Sequence, residues 1–217
     1  STDNTTYTAF SPAQTSSPLS FTGLTNGTSY AFYLKAVNAN GDSAASAASN
    51  SITPASTAFE SIATVTVGSG GTSTVQFTSI PQTYKHLQIR GFIADNATNG
   101  NFAVKYNSSY ATTGHQLQGD GTSAVGDWYG STSAGLIYAQ RTNTGQFAFV
   151  TDILDYANTS KNKTARSLAG GDNNGTGRIN LASNFINSTT AVTQLDLYFS
   201  TGIIPQYSTI ALYGIKG

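Results

Sequence analysis

The feature that most constrains this chain is a two-residue alternation of apolar and polar side chains that recurs along much of its length. In the segment SYAFYLKAVN, Tyr30, Phe32 and Leu34 share one face and Ala31 and Tyr33 share the other, which is the pattern of a half-buried strand. No stretch of about a dozen residues keeps the apolar spacing of an amphipathic helix. The chain is therefore predicted to be all-β.

The same alternation predicts eight further strands. They cover residues 62–67, 74–80, 85–94, 102–106, 146–154, 178–186, 193–200 and 209–216. The connections between them are rich in Gly, Asn and Ser, the residues that turns require. Short strands with such connections are typical of an antiparallel sandwich or a jelly roll. Residues 107–135 are the longest stretch without a clear strand, and they are predicted to form a long loop of the kind that binds ligands on β scaffolds.

Composition restricts the partners of the chain. Charged residues make up only 9% of the sequence, yet twelve Tyr and eleven Phe favour a folded chain over a disordered one. Ten basic and ten acidic residues give zero net charge without a cationic cluster, so nucleic acid is not an expected partner. No apolar segment of about 18 residues is present, so membrane insertion is not expected. Because the sequence has no Cys, disulfides and thiol chemistry are excluded.

Residues 1–54 carry a sequence pattern that the amino-acid composition alone does not explain. Leu24, Gly27 and Tyr30 are followed by the alternation at Phe32 and then by the segment VNANGDSAASAASNSITP. This pattern resembles the C-terminal half of a fibronectin type III domain of the bacterial and phage kind. The resemblance implies that Leu24 and Tyr30 form the tyrosine corner of that family, and that the preceding strands, including the one with its buried Trp, are not in residues 1–54.

A half sandwich exposes an apolar face and unpaired strand edges, which is an aggregation liability. Three explanations follow for residues 1–54. The chain is a part of a longer one, the remaining strands come from another chain by strand addition, or the segment folds differently.

A domain boundary is predicted after Pro54, because proline cannot donate to a central strand ladder. Residues 55–58 are interpreted as a linker, and residues 59–217 as an antiparallel β-sandwich, jelly-roll-like domain. In that domain, the segments FTSIPQTYKHLQIRG and YSTIALYGIKG resemble the paired strands of β-sandwich modules in virion proteins of tailed phages.

The two resemblances together imply a non-enzymatic virion structural protein of a tailed phage, located in the particle as a tail fibre, spike or capsid appendage. The expected partners are copies of itself and other virion proteins, with a glycan of the host surface as a further partner. The alternative is a carbohydrate-binding or adhesin module of a secreted or cell-surface bacterial protein.

Catalytic chemistry is not predicted. Glycoside hydrolysis needs two carboxylates, and Glu60 is the single Glu of the chain, so only an Asp pair such as Asp120 and Asp127 could act in a depolymerase. No Gly-x-Ser-x-Gly elbow occurs. His86 and His115 lack a second ligand at metal spacing, so neither a metal nor a cofactor is expected.

The segment GDGTSAVGDWYG carries the candidate ligand-binding residues, which are Asp120, Asp127, Trp128 and Tyr129. An aromatic ring can pack on the apolar face of a sugar while carboxylates accept hydrogen bonds from its hydroxyl groups. The alternative, which we favour, is that Gly-Asp forms turns and that Trp128 lies in the core.

A calcium-like pattern occurs in residues 171–177, where Asp172 opens a D-x-N-x-x-G segment. The twelfth position of such a loop would be Ser183 instead of an acidic ligand. A hairpin turn at Asn174 and Gly175 explains the segment without an ion and is the favoured interpretation.

Overall fold

The computed structural model describes residues 1–3, 5–11, 16–55, 58–94, 100–108, 112–132, 134–138, 145–171 and 177–217, with the side chains of residues 129–132 outside the description. The chain divides into two compact units, Ser1–Thr57 and Ala58–Gly217. The described residues form strands and no helix, which confirms the all-β prediction. It follows that the described ranges contain no helix long and apolar enough to cross a membrane.

The described part of the first unit contains one short hairpin, made of β1 (Val37–Asn38) and β2 (Gly41–Asp42). An isolated bridge joins Tyr30 to Ile52. The alternation in residues 29–38 thus gives much less regular strand than predicted.

The reason is a serine repeat in the segment that pairs with residues 32–36. The N–H groups of Ser43, Ser46 and Ser49 donate to the carbonyl oxygens of Ala36, Leu34 and Phe32. The hydroxyl groups of the same three serines accept, at 3.0 Å, from the N–H groups of the same three partners. The paired residues are thus three positions apart in the serine segment and two positions apart in the other. The backbone N–H and C=O groups are hydrogen-bonded without a regular strand ladder.

The second unit consists of two antiparallel sheets. The larger has the order β3-β14-β5-β10-β11-β12-β7-β8, and the smaller has the order β4-β13-β6-β9. The strands are β3 (Phe59–Thr66), β4 (Thr74–Phe77), β5 (His86–Ile93), β6 (Phe102–Tyr106), β7 (Thr112–Gly119), β8 (Ala124–Thr132), β9 (Gly135–Tyr138), β10 (Phe147–Leu154), β11 (Lys163–Gly171), β12 (Arg178–Ile186), β13 (Leu195–Phe199) and β14 (Thr209–Ile215).

The two sheets bury one hydrophobic core between them. Leu87 and Ile89 of the large sheet and Val104 and Leu197 of the small sheet are fully buried members of the same cluster. Its centre is aromatic: the ring of Phe102 lies between 5.0 and 5.7 Å, centroid to centroid, from the rings of three other phenylalanines, Phe147, Phe149 and Phe199. These features make the unit sandwich-like. Below, the inner face of the large sheet is the one that contacts this core, and the outer face is the opposite one.

Residues 107–135 do not form the predicted loop, so that prediction is wrong. They contain the hairpin of β7 and β8 and the first residue of β9. Alternation did not indicate β7 because its burial is the reverse of what hydrophobicity predicts: Thr112 and Gln118 are buried and Leu117 is exposed. β11 was also missed, since its inward residues Ala165 and Ala169 are small and give a weak apolar period.

Candidate functional site

Asp120 lies in the connection between β7 and β8. Its Oδ1 accepts from the N–H groups of Ser123 at 2.8 Å and of Thr122 at 2.9 Å. These backbone hydrogen bonds hold the pKa of the Asp120 carboxyl well below its usual range. The favoured interpretation of this Gly-Asp as a turn is confirmed, because the carboxylate closes the turn.

Asp127 and Trp128 lie on opposite faces of β8. Asp127 is opposite Gln116 in the ladder and accepts from its Nε2 at 3.4 Å, whereas Trp128 is opposite His115 on the outer face. Trp128 is 66% exposed, so the expectation that it lies in the core is wrong. The side chain of Tyr129 lies outside the described residues. The geometry does not bring Asp127 and Trp128 together, and ligand binding by these residues stays a prediction.

An open cleft of about 520 Å³ lies beside Asp120. Five glycines line it together with Asp120, Arg178 and Ile179. The Asp120 carboxylate is held by its turn, and a guanidinium N–H of Arg178 donates to Oε1 of Gln118 at 3.1 Å. Among the described lining residues, both ionic side chains therefore already have partners. The calcium-like pattern next to this cleft falls mainly on residues 172–176, which lie outside the described residues.

The histidines are placed in different surroundings. Nδ1 of His86 accepts from the backbone N–H of Asp155 at 2.9 Å, which gives this ring a structural role at the start of β5. His115 is exposed on the outer face, opposite Ser183 and Trp128. Within the part of the chain that the structure describes, no group of three or more His, Cys, Asp or Glu residues could hold a metal ion.

Asp155 is the centre of an ionic cluster just after β10. Its carboxylate lies 2.5 Å from Nζ of Lys161 and 3.6 Å from Nζ of Lys85. The hydrogen bond from Lys161 is the largest cause that holds the pKa of Asp155 below its ordinary value. Its backbone has a φ of 50°, a conformation that Asn also adopts readily.

The substitution Asp155→Asn therefore removes the charge while keeping the backbone conformation. It is expected to lower the free energy of unfolding at pH 7 by less than about 1 kcal/mol, because both lysines are mostly exposed. A depressed carboxyl pKa stabilises the folded state above the unfolded pKa of about 3.9 and ceases to do so as the pH falls through the folded value. The difference between the variant and the wild type should thus begin to shrink as the pH falls below about 4, and it should vanish once the pH is below the folded pKa of Asp155.

Urea denaturation at pH 7, 5 and 3 measures this difference. Asp42→Asn is the control, because Asp42 is exposed and lies 4.0 Å from Lys35. A difference for Asp155→Asn that stays the same at pH 3 would contradict the assignment.

The outer face of β11, β12, β7 and β8 carries the feature that sequence reasoning missed. We call its six large apolar side chains the outer patch: Leu117, Trp128, Leu168, Ile179, Leu181 and Phe185. They are between 43% and 66% exposed. The strand pairing places Leu168, Leu181 and Leu117 side by side in one row across the sheet.

The inner face of the same strands carries buried polar side chains among its core residues. On β12, Asn180 and Asn184 are fully buried, although alternation with Ile179 and Leu181 would have predicted the reverse. The amide of Asn184 accepts from the N–H of Leu136 at 3.1 Å and donates to its carbonyl at 3.0 Å. β9 is thus hydrogen-bonded to the inner face through a side chain, and this explains why an Asn points inward. The alternation in residues 178–186 was the signal that could have located the patch, because one of its two faces had to be exposed.

Comparison with protein-family models, with curated proteins and with solved structures gives no match for this chain.

Proposed function

We propose that this chain is a non-enzymatic structural protein of a tailed-phage virion, a component of a tail fibre, spike or capsid appendage. In this proposal the second unit is a jelly roll and the first unit is a partial fibronectin type III domain. The partners are copies of the chain and other virion proteins. The observation that carries the proposal is the strand order of the two sheets.

Jelly rolls pair their first strand with their last and continue inward in nested pairs across two sheets, and they are common in viral capsid and lectin domains. Here β3 pairs with β14, β4 with β13, β5 with β10, and β6 with β9. Two hairpins interrupt this nesting, β7 with β8 and β11 with β12, and both extend the larger sheet. The nested order supports a jelly roll with a four-strand extension.

The first unit supports the fibronectin-like part of the proposal. The hydroxyl of Tyr30 accepts from the backbone N–H of Thr25 at 3.0 Å, as the hydroxyl of a tyrosine corner does. In the described part of this unit, Ala31 is the one buried hydrophobic residue, whereas Leu34, Val37 and Ile52 are more than half exposed. This exposure fits a sheet that further strands complete, either in the same polypeptide or in a neighbouring subunit.

The test is to locate the protein in particles. Antibodies raised against the chain, applied to purified virions and seen by immunogold electron microscopy, should label the tail or the capsid surface. Particles from a strain that lacks the gene serve as the control. A protein that is abundant in the lysate and missing from purified particles would overturn the proposal.

A carbohydrate-binding or adhesin module is the second candidate, and the exposure of Trp128 is the observation that favours it. If this ring is a sugar platform, Trp128→Ala should weaken glycan binding at least about tenfold. Tyr207→Ala is the matched control, because Tyr207 is equally exposed outside the outer patch. The measurement is binding to a glycan array, followed by titration of any positive glycan. No glycan binding by the wild type would remove this candidate.

A further inference from the structure

The outer patch places six large, exposed apolar side chains on one face of the large sheet. Its six side chains lie on four adjacent strands of eight or nine residues each. The largest contiguous apolar patch of a typical soluble monomer covers about 300–600 Å², and patches of that size are often functional. Four strands spaced about 4.8 Å apart and rising about 3.3 Å per residue present roughly 500–600 Å² in projection.

The ladder register sets the outer patch out in rows. In order across β11, β12, β7 and β8, the central row is Leu168, Leu181, Leu117 and Gly126. The row on one side of it is Arg166, Ser183, His115 and Trp128. The row on the other side is Gly170, Ile179, Gly119 and Ala124. The central row thus has a leucine at one end and a glycine at the other, and the third row has Ile179 beside Gly119.

We propose that the outer patch is the interface between two copies of this chain, related by a two-fold axis that runs along the strands between β12 and β7. This inference rests on the proposed function, since it names the surface through which the assembling chain meets a copy of itself. A two-fold interface uses the same surface on both copies, so every contact occurs twice.

The rows are self-complementary about this axis. Leu181 of one copy meets Leu117 of the other at the centre. Leu168 and Ile179 lie over Gly126 and Gly119, which leave room for them. At the edge, the guanidinium of Arg166 lies over the exposed ring of Trp128, a cation–π arrangement.

Charge does not oppose this association. Among the described outer-face residues of the four strands, Arg166 is the one Lys, Arg, Asp or Glu. The axis separates the two Arg166 positions by three strand spacings, about 14 Å. That distance exceeds the screening length of about 8 Å at physiological salt.

The area suits a reversible dimer. Both faces together bury about 1,100 Å², which is near the lower limit for a specific interface. A nucleic acid or an anionic membrane would need several cations on the face, and a sugar would need polar groups around the ring. The face has one described cation, Arg166, and its polar residues His115 and Ser183 lie in the row of Trp128, whereas the adjoining row is Leu168, Leu181 and Leu117. A second copy, which covers the leucine row as well as the ring, is therefore the occupant that the chemistry favours.

Sedimentation velocity of the whole chain between about 1 and 200 µM should show a monomer–dimer equilibrium, with association in the micromolar range typical of small interfaces. Leu181→Arg should weaken it at least about 30-fold, because two desolvated cations would face the apolar centre. Ile203→Arg is the matched control, since Ile203 is 45% exposed outside the outer patch and should leave the dimer unchanged. Circular dichroism shows that each variant is folded.

A pair of variants tests the axis itself. Leu181→Arg and Leu117→Glu should each be monomeric alone and should form a heterodimer when mixed. In that heterodimer one contact joins Arg to Glu and the symmetric contact keeps Leu on Leu. A mixture that stays monomeric would overturn the proposed axis.

Three other results would show that a second copy does not cover the outer patch. They are a wild-type chain that is monomeric at every concentration, a dimer that persists in folded Leu181→Arg, and a monomer that binds a glycan through the outer patch. Particle labelling separates the two proposals. A chain found in virions but monomeric in solution overturns only this inference, and a dimer that is missing from virions overturns only the proposed function.

Discussion

Replacing Phe102 by alanine is expected to lower the free energy of unfolding of the second unit by about 3–5 kcal/mol. Phe102 is fully buried on β6, and its ring contacts phenylalanines from both sheets: Phe147 and Phe149 on β10 and Phe199 on β13. The substitution removes the transfer free energy of the ring and leaves a cavity that two paired sheets cannot close. Loss of the aromatic contacts adds to this cost.

Urea denaturation of the whole chain, followed by far-ultraviolet circular dichroism, measures the effect. Phe92→Ala is the matched control, because Phe92 lies on the outer face of β5 and is 41% exposed. This control should cost much less, since its ring leaves no closed cavity. Equal losses for the two variants would mean that the sheets do not share the core around Phe102.

The second large effect is expected at Asn184. Asn184→Ala removes the side chain that accepts from the N–H of Leu136 and donates to its carbonyl. Both backbone groups belong to a residue that is 8% exposed, and an unsatisfied buried group costs about 1–3 kcal/mol. The variant should therefore lose about 2–4 kcal/mol beyond the cost of the cavity.

Asn180→Ala isolates the hydrogen bonds from the cavity. Asn180 lies on the same face of the same strand and is equally buried, but its amide has no hydrogen-bond partner within the described ranges. Truncation there leaves a similar cavity and relieves a buried unsatisfied amide, so it should cost clearly less. Denaturation of both variants under the same conditions gives the difference. If Asn180→Ala costs as much as Asn184→Ala, the contact between Asn184 and β9 is not what stabilises this region.

The strands at Phe102–Tyr106 and Arg178–Ile186 have the bounds that the alternation predicted. Alternation succeeds because it follows from the backbone: successive side chains of an extended chain point to opposite faces wherever the strand lies. Alternation was not used in this way for the candidate site. Asp127 and Trp128 are neighbours in sequence, and as neighbours in a strand they point to opposite sides of the sheet.

Local patterns also failed where burial depends on a distant segment. Hydrophobicity alone would have turned Ile179 and Leu181 inward, but β9 lies against the inner face and offers Asn184 the backbone groups of Leu136. In β7, Thr112 and Gln118 are buried and Leu117 is exposed, which is the reverse of what hydrophobicity alone predicts.

The sequence by itself determined that the chain is all-β and where most of its strands lie, because turn residues and alternation act over a few neighbouring positions. Only the tertiary structure decided the nested strand pairs, the inward Asn residues and the exposed apolar rows of the outer patch. Pairing β3 with β14 joins residues about 150 positions apart, and no local pattern specifies such a contact. The face that a strand buries depends on which distant segment covers it, and that is decided when the sheets pack together.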